Sequence, residues 1–187
     1  MGIDDGMTLT RRRFLRQGAM AAGAVVLPYI APSSVLGQGS SVEPSNRVVM
    51  GFIGLGIQGT ALMRAFLTHE DVQVAAVCDV YESQRVKAKG IVDEYYDGTV
   101  CATYNDFREV CTREDIDAVC VATPDHWHVP VSLEAARCGK DLYTEKALGL
   151  SLAWDKALQE TCHRHGTVFQ WGITVLFNID LGVVAAS

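Results

Sequence analysis

Residues 47–59 read RVVMGFIGLGIQG, in which an apolar run leads directly into a G-x-G-x-x-G motif. The run at 47–53 is rich in β-branched and large apolar residues, which predicts a buried strand. Residues 58–68 carry apolar side chains at helical spacing, which predicts a helix. A glycine motif between a strand and a helix is typical of the loop that holds the pyrophosphate of a dinucleotide.

Each position of the motif has a physical role in such a loop. Gly54 permits the tight turn, Gly56 lets the backbone approach the pyrophosphate, and Gly59 lets the helix pack close to the strand. Ile57 and Gln58 open the helix, where the N–H groups have no partner within the helix and the dipole attracts negative charge. The sequence therefore predicts that these five residues bind a dinucleotide cofactor.

A carboxylate is predicted at the ribose end of the same cofactor. Asp79 lies 20 residues beyond Gly59, at the end of a second apolar run at 72–78. Here a carboxylate accepts hydrogen bonds from ribose hydroxyls and repels a 2′-phosphate, which favours NAD over NADP. Arg85 is near enough in sequence to leave NADP open. A glycine turn in an unrelated α/β protein is the alternative, but strand, glycines, helix and acid occur here in register.

The rest of the body alternates strands and helices over short connections. This alternation predicts an α/β fold, with a doubly wound parallel sheet of the Rossmann type. The predicted strands lie at 47–53, 72–78, 99–104, 117–123, 141–144 and 167–171, and the predicted helices lie at 58–68, 82–96, 106–111, 129–138 and 151–165. Ligands of such a sheet bind at the carboxyl ends of the strands, where the winding reverses.

Two polar motifs end the fourth and fifth predicted strands, TPDHWH at 123–128 and TEKA at 144–147. Both should face the same crevice as the glycine loop, because the carboxyl ends of parallel strands meet at one edge of a sheet. Together with the glycine motif and VFQWG at 168–172, they resemble the Gfo/Idh/MocA family of sugar and polyol dehydrogenases and oxidoreductases. The resemblance covers the chain from Asn46 to Trp171.

The resemblance implies roles for individual residues. Thr123, Pro124 and His128 would line the nicotinamide-ribose part of the site together with Glu145, and Lys146 would be the catalytic residue beside the reacting carbon. The Lys146 ammonium can donate a hydrogen bond to a substrate hydroxyl and hold positive charge near a developing alkoxide. The implied function is hydride transfer between NAD, or NADP, and a sugar or polyol substrate.

The sequence departs from the family pattern at two places. Ala147 stands where proline is usual. The family continues into a second α/β domain that supplies the substrate pocket and the usual oligomer interface, whereas residues 173–187 are apolar and unlike that continuation. We therefore interpret the chain as truncated and expect it to bind cofactor without appreciable turnover of its own. A non-catalytic dinucleotide-binding remnant is the alternative function, and a homo-oligomer is left open.

The N-terminal residues have the order of an export signal. TRRRFL at 10–15 precedes an apolar, small-residue stretch at 18–31, and this pattern resembles a twin-arginine signal. We expect export to the periplasm, with membrane contact only through this segment and a membrane-tethered form if it stays uncleaved. The expected organisation is a signal peptide at 1–37, a linker at 38–45, a dinucleotide-binding domain at 46–172 and an atypical apolar tail at 173–187.

Composition disfavours two other classes of protein. The net charge of the 187-residue chain is −6, which does not suit a protein that neutralises nucleic-acid phosphates with Lys and Arg. None of the six cysteines forms a C-x-x-C pair of the kind found in zinc sites. His126 and His128 lie two residues apart, which is poor geometry for one tetrahedral metal, and no acidic or cysteine spacing completes a site. The sequence predicts no nucleic-acid partner and no metal.

Overall fold

The computed structural model describes residues 46–172, and the predicted signal, linker and apolar tail lie outside this range. Within it, six parallel strands form one sheet that is flanked by helices. The strands are β1 (Val48–Ile53), β2 (Val72–Cys78), β3 (Ala102–Tyr104), β4 (Ala118–Val121), β5 (Asp141–Thr144) and β6 (Phe169–Trp171), and the helices are α1 (Ile57–Leu67), α2 (Glu82–Tyr95), α3 (Phe107–Cys111), α4 (Asp125–Arg137) and α5 (Leu152–His165). No helix in this range is long and apolar enough to cross a bilayer.

The strand order is β3-β2-β1-β4-β5-β6, and every pairing is parallel. The predicted doubly wound sheet is therefore confirmed. The chain winds outward from β1 in one direction through β2 and β3, and in the other direction through β4, β5 and β6. Ile53 at the end of β1 is level with Cys78 on one side and Val121 on the other, so the switch point lies where β1 ends.

Two apolar layers hold the helices on the sheet. Phe52 and Ile53 are neighbours in β1, yet Phe52 packs in one layer with Met63 of α1, while Ile53 packs in the other with Val129 of α4. This separation follows from the two-residue period of a strand. Complete burial of a side chain of this size contributes about 1.5–3 kcal/mol to folding. The two layers thus fix the helix ends that border the crevice.

The ends of α5 agree with the capping residues in its sequence. The Ser151 hydroxyl accepts a hydrogen bond from the Trp154 N–H at 3.3 Å, which satisfies one of the N–H groups left open at a helix start. Gly166 ends the helix in the left-handed region with φ 67°. Glycine adopts this conformation without strain because it has no Cβ.

Four predicted boundaries are wrong by two residues or more. The fourth strand, predicted to end at 123, ends at Val121. The helix predicted from Val129 begins at Asp125, and Pro130 lies inside it. The strand predicted from 99 begins at Ala102, because the Cys101 N–H donates to Asp93 Oδ1 at 3.0 Å instead of to the sheet. The last strand likewise begins at Phe169, because the Val168 N–H donates to Asp141 Oδ1 at 2.8 Å.

Candidate functional site

The glycine loop is compressed against its neighbours at two of its three glycines. Gly54 has φ 88°, and a Cβ there would lie 2.6 Å from the backbone of Thr123. A Cβ on Gly59 would overlap the Gly54 carbonyl oxygen. Within the described residues, a Cβ on Gly56 would meet no atom within 4 Å. The loop therefore needs glycine at 54 and 59 for its own packing, whereas the space above Gly56 is open to a ligand.

The start of α1 offers hydrogen-bond donors to that open space. Gly56 is the N-cap and has no side chain to accept from the first turn. Ile57 is 95% exposed, and Gln58 is also exposed. A helix start with open N–H groups and a positive dipole end suits a pyrophosphate. The five loop residues predicted from sequence thus lie together, and their geometry fits a dinucleotide.

The half-buried Asp79 carboxylate lies beside this loop, at the end of β2. Its Oδ2 accepts a hydrogen bond from the Leu55 N–H at 2.7 Å, and its Oδ1 accepts one from the Tyr81 N–H at 2.9 Å. Each carboxylate oxygen has a further lone pair for a ribose hydroxyl. Asp79 therefore also holds the glycine loop to the turn that follows β2, a function that the sequence motif did not indicate.

The end of β4 contributes an unpaired hydroxyl. Thr123 Oγ1 is buried and has no hydrogen-bond partner in the described part of the chain. An orphaned buried hydroxyl is costly unless a ligand or water completes it. Pro124 follows as the exposed N-cap of α4. Thr123 borders the glycine loop, because its backbone nitrogen would lie 2.6 Å from a Cβ on Gly54.

His128 is enclosed by protein instead of facing the crevice. It is 1% exposed. Its Nδ1 lies 2.5 Å from the Ala147 carbonyl oxygen, and its Nε2 lies 2.7 Å from the Thr123 carbonyl oxygen. Each ring nitrogen thus faces a backbone carbonyl oxygen, one from each of the two polar motifs. His128 thus links the two polar motifs. Its side chain is enclosed, so we expect it to position the backbone at Thr123 and Ala147 and not to contact a cofactor directly.

Glu145 is a buried carboxylate at the end of β5, with 2% exposure. Its Oε1 accepts a hydrogen bond from Gln58 Nε2 at 3.0 Å, and its Oε2 accepts one from the Lys146 N–H at 3.1 Å. Burial, reinforced by the nearby Glu145 charge, raises the pKa of Tyr143 to about 12. Tyr143 therefore remains a neutral phenol at physiological pH.

Lys146 follows Glu145 with its side chain exposed at the crevice edge. The peptide between Lys146 and Ala147 is cis. Because an exposed ammonium keeps its three donors available, Lys146 can reach a ligand that lies over the carboxyl ends of β4 and β5.

Trp127 is a candidate contact residue that the sequence analysis did not single out. It is 43% exposed in the first turn of α4, and its ring meets the Phe107 ring edge-on with centroids 6.1 Å apart. The available signal was a large aromatic residue within an otherwise polar motif. An exposed aromatic face beside a ligand crevice offers apolar contact to a flat ring.

Across residues 46–172, no cluster of three or more His, Cys, Asp or Glu side chains is arranged to hold a metal ion. The two histidines of the motif diverge, because His126 is exposed and His128 is buried. Cys78, Cys101 and Cys111 are buried free thiols, and burial raises the pKa of each to about 12. These thiols pack in the core and supply no reactive group at the crevice.

Comparison with known proteins adds a family and several relatives. Residues 48–173 match the Gfo/Idh/MocA profile, described as an oxidoreductase family with an NAD-binding Rossmann fold. A glycosyl hydrolase family 109 protein of Shewanella sp. strain MR-4 is 31% identical over 82% of this chain and 37% of its own length. An alpha-N-acetylgalactosaminidase of Shewanella oneidensis is 32% identical over 76% of this chain and 34% of its own. The chain thus spans little more than a third of the curated relatives that it matches.

Among solved structures, scyllo-inositol dehydrogenase from Lactobacillus casei, with bound NAD(H) and scyllo-inositol, is similar over 67% of this chain and 36% of its own. The identity is 25% and the TM-score is 0.61. Myo-inositol 2-dehydrogenase from Lactobacillus plantarum shares the fold, with a TM-score of 0.59 and 23% identity.

Proposed function

Because the chain belongs to the Gfo/Idh/MocA oxidoreductase family and carries its NAD-binding domain, we propose that it takes part in hydride transfer between NAD and a carbinol carbon of a sugar or polyol. One observation supports the proposal: the open space above Gly56, just after β1, and the exposed Lys146, just after β5, lie at the same carboxyl edge of the parallel sheet. The inositol dehydrogenase relative supports the substrate class.

In the proposed reaction the nicotinamide supplies a hydride acceptor or donor, and the chain supplies binding and charge. The N–H groups at the start of α1 hold the pyrophosphate, and Asp79 holds the ribose hydroxyls. In the direction of oxidation, the substrate hydroxyl loses its proton to solvent, and the hydride then leaves the carbinol carbon as the C–O bond becomes a carbonyl. Lys146 donates a hydrogen bond to this oxygen and stabilises the intervening alkoxide. Glu145 and Gln58 position the backbone of Lys146 relative to α1.

The test is NADH production over a panel of polyols and sugars, with Lys146→Met compared with the wild-type chain. The chain alone is expected to turn over little, and any turnover that it shows should have a kcat about 10²–10³ lower in Lys146→Met, as for the loss of one donor to a developing oxyanion. NADH affinity should be retained, because Lys146 is assigned to the substrate. Lys156→Met, on the exposed face of α5, is the matched control. NADH binding without any Lys146-dependent turnover would favour the alternative function, a chain that binds cofactor and does not catalyse.

A second candidate function is glycoside hydrolysis with NAD as cofactor. The glycosyl hydrolase family 109 and alpha-N-acetylgalactosaminidase relatives favour it, and some glycosidases do depend on NAD. A nitrophenyl α-N-acetylgalactosaminide distinguishes the two candidates. Release of nitrophenol that requires NAD but gives no net NADH would favour hydrolysis, whereas net NADH without sugar release would favour dehydrogenation.

We also propose that the chain is exported by a twin-arginine pathway, and that it is membrane-tethered if the signal is retained. The motif TRRRFL at 10–15 followed by an apolar stretch supports this. Exchange of Arg11 and Arg12 for lysine keeps the charge and removes the arginine identity. We expect a tagged Lys-Lys variant to stay in the cytoplasm on fractionation. Normal export of that variant would contradict the proposal.

A further inference from the structure

The Arg85 guanidinium lies at the adenosine end of the proposed site and is engaged by the chain itself. Its Nη1 donates to the Asp79 carbonyl oxygen at 2.6 Å and to Asn105 Oδ1 at 3.1 Å. Arg85 is half-buried in the first turns of α2, whereas Asn105 is exposed in the turn after β3. The Arg85 guanidinium is therefore held next to Asp79, the residue that is assigned to the ribose.

The placement of Asn105 follows from the sheet. Tyr104 is level with Cys78 in the pairing of β2 with β3, and its carbonyl oxygen accepts from the Asp79 N–H at 3.3 Å. Asn105, the next residue, thereby emerges beside the end of β2. The side-chain oxygen of Asn105, which follows β3, is thus placed to accept a hydrogen bond from Arg85 of α2.

The position of this arginine matters because NAD and NADP differ at the ribose 2′ position. A phosphate monoester carries a charge of about −1.5 to −2 at neutral pH. Arginine is a favoured partner for it, because the planar guanidinium donates two parallel hydrogen bonds. Asp79 opposes a 2′-phosphate, so acceptance of NADP would need a cation that is free to turn towards that phosphate.

The other arginine at this end is engaged as well. Arg108 Nη1 lies 3.1 Å from the Asp106 carboxylate, and the guanidinium carbon lies 4.6 Å from the centroid of the Phe107 ring. That ion pair is exposed, so it is weaker than a buried one and does not by itself decide selectivity. Arg85 differs in having two restraints from different elements, a half-buried bond to the Asp79 carbonyl oxygen and an exposed bond to Asn105.

We propose that Asn105 is a specificity-determining residue, which holds Arg85 on the backbone of Asp79 and so leaves the Asp79 carboxylate to select NAD over NADP. This inference rests on the proposed function, because it takes Asp79 as the ribose ligand. Asn105 acts through Arg85 and is a positioning residue. Its effect should fall on NADPH affinity and leave NADH affinity almost unchanged.

The test measures dissociation constants for NADH and NADPH by fluorescence titration of the full chain. We expect the wild-type chain to prefer NADH. Asn105→Leu removes the acceptor, so it should tighten NADPH binding by about tenfold, in the range of one hydrogen bond to a charged group, while NADH affinity changes less than about twofold. Asn105→Asp keeps the acceptor and should preserve the wild-type preference. Asn105→Leu combined with Arg85→Ala should lose the gain in NADPH affinity.

The outcomes separate this inference from the function on which it rests. A wild-type chain that binds neither nucleotide overturns the proposed function, and the role of Asn105 with it. If the wild-type chain binds NADH, an unchanged NADH-to-NADPH ratio in Asn105→Leu overturns only the role of Asn105. A gain in NADPH affinity that persists without Arg85, or a wild-type preference for NADPH, overturns it too. Because Asn105 is exposed, circular dichroism should show both single Asn105 variants folded, and it also checks the double variant at the half-buried Arg85.

Discussion

Gln58 Nε2 donates a hydrogen bond to Glu145 Oε1 at 3.0 Å across 87 residues of sequence. The bond joins the first turn of α1, next to the glycine loop, to the end of β5, next to Lys146. The second Glu145 oxygen accepts from the Lys146 N–H, so one buried carboxylate contacts both halves of the proposed site. A buried charge of this kind is tolerated only while its hydrogen bonds are kept.

Gln58→Leu should lower both the free energy of unfolding and NADH affinity. Removing one donor to the buried Glu145 carboxylate costs about 1.5–3 kcal/mol, the range for hydrogen bonds to charged groups. Urea denaturation measures the stability, and fluorescence titration measures NADH affinity. Gln159→Leu, on the exposed side of α5, is the matched control. Equal effects of the two substitutions would contradict a coupling role for the Gln58–Glu145 bond.

Gly56→Val should abolish NADH binding while the fold is retained. In the described residues a Cβ at position 56 meets no protein atom within 4 Å, so the new side chain fills only the space assigned to the pyrophosphate. NADH titration together with circular dichroism separates binding from folding. Unchanged NADH affinity in a folded Gly56→Val chain would refute the assignment of this space.

Gly59→Val is the contrasting variant of the same loop. A Cβ there overlaps the Gly54 carbonyl oxygen, which is backbone and cannot move aside cheaply. We expect this variant to lose stability, by about 1–3 kcal/mol or more for overpacking at a rigid contact. The melting temperature measures the loss. A Gly59→Val chain as stable as Gly56→Val would show that the loop is less tightly packed than its geometry indicates.

Asp79→Ala should weaken NADH binding and narrow the preference for NADH over NADPH. It removes the acceptor for the ribose hydroxyls, the repulsion of a 2′-phosphate and the hydrogen bond that holds the Leu55 N–H. Loss of one charge-assisted hydrogen bond corresponds to about 1.5–3 kcal/mol of NADH binding. Asp79→Asn, which keeps an acceptor without the charge, should retain more NADH affinity than Asp79→Ala. Tighter NADPH than NADH binding by the wild-type chain would contradict the assignment.

The fold followed from the sequence where local signals and tertiary packing agree. The apolar runs before Gly54 and Asp79 are buried strands, and α5 at Leu152–His165 lies within one residue of its predicted range. The start of α4 was missed because its first turn carries the polar residues Asp125 and His126, which do not extend the apolar pattern that begins at Val129. In the fold the helix starts at Asp125, and the Trp127 N–H donates to the Pro124 carbonyl oxygen at 2.8 Å.

The site was less predictable, because its contacts join residues that are distant in sequence. The glycine motif indicated which residues meet a pyrophosphate, since their roles depend on a local turn. The Gln58–Glu145 and Arg85–Asn105 contacts depend on which strands are neighbours and on their register, which no local pattern specifies. The burial of His128 depended likewise on where α4 begins, and that boundary is wrong in the sequence-based prediction.

His128→Leu should destabilise the chain and weaken NADH binding together. The ring contacts the carbonyl oxygens of Thr123 and Ala147, so leucine would fill similar space but leave two half-buried acceptors without this partner. Each unpaired acceptor costs about 1–3 kcal/mol. The end of β4 and the turn that carries Lys146 would then lose their common anchor. Thermal unfolding and NADH titration measure the two effects.

Local amide hydrogen exchange around Lys146 tests whether His128 anchors this turn or only fills space. Amide hydrogen exchange of the segment around Lys146 should accelerate in His128→Leu beyond the change in global stability, because its local opening becomes easier. His128→Asn, which keeps one donor, should restore part of the protection. His126→Leu, two residues away and exposed, is the control and should leave exchange unchanged. Exchange that rises uniformly along the chain in His128→Leu would indicate that this histidine only fills space.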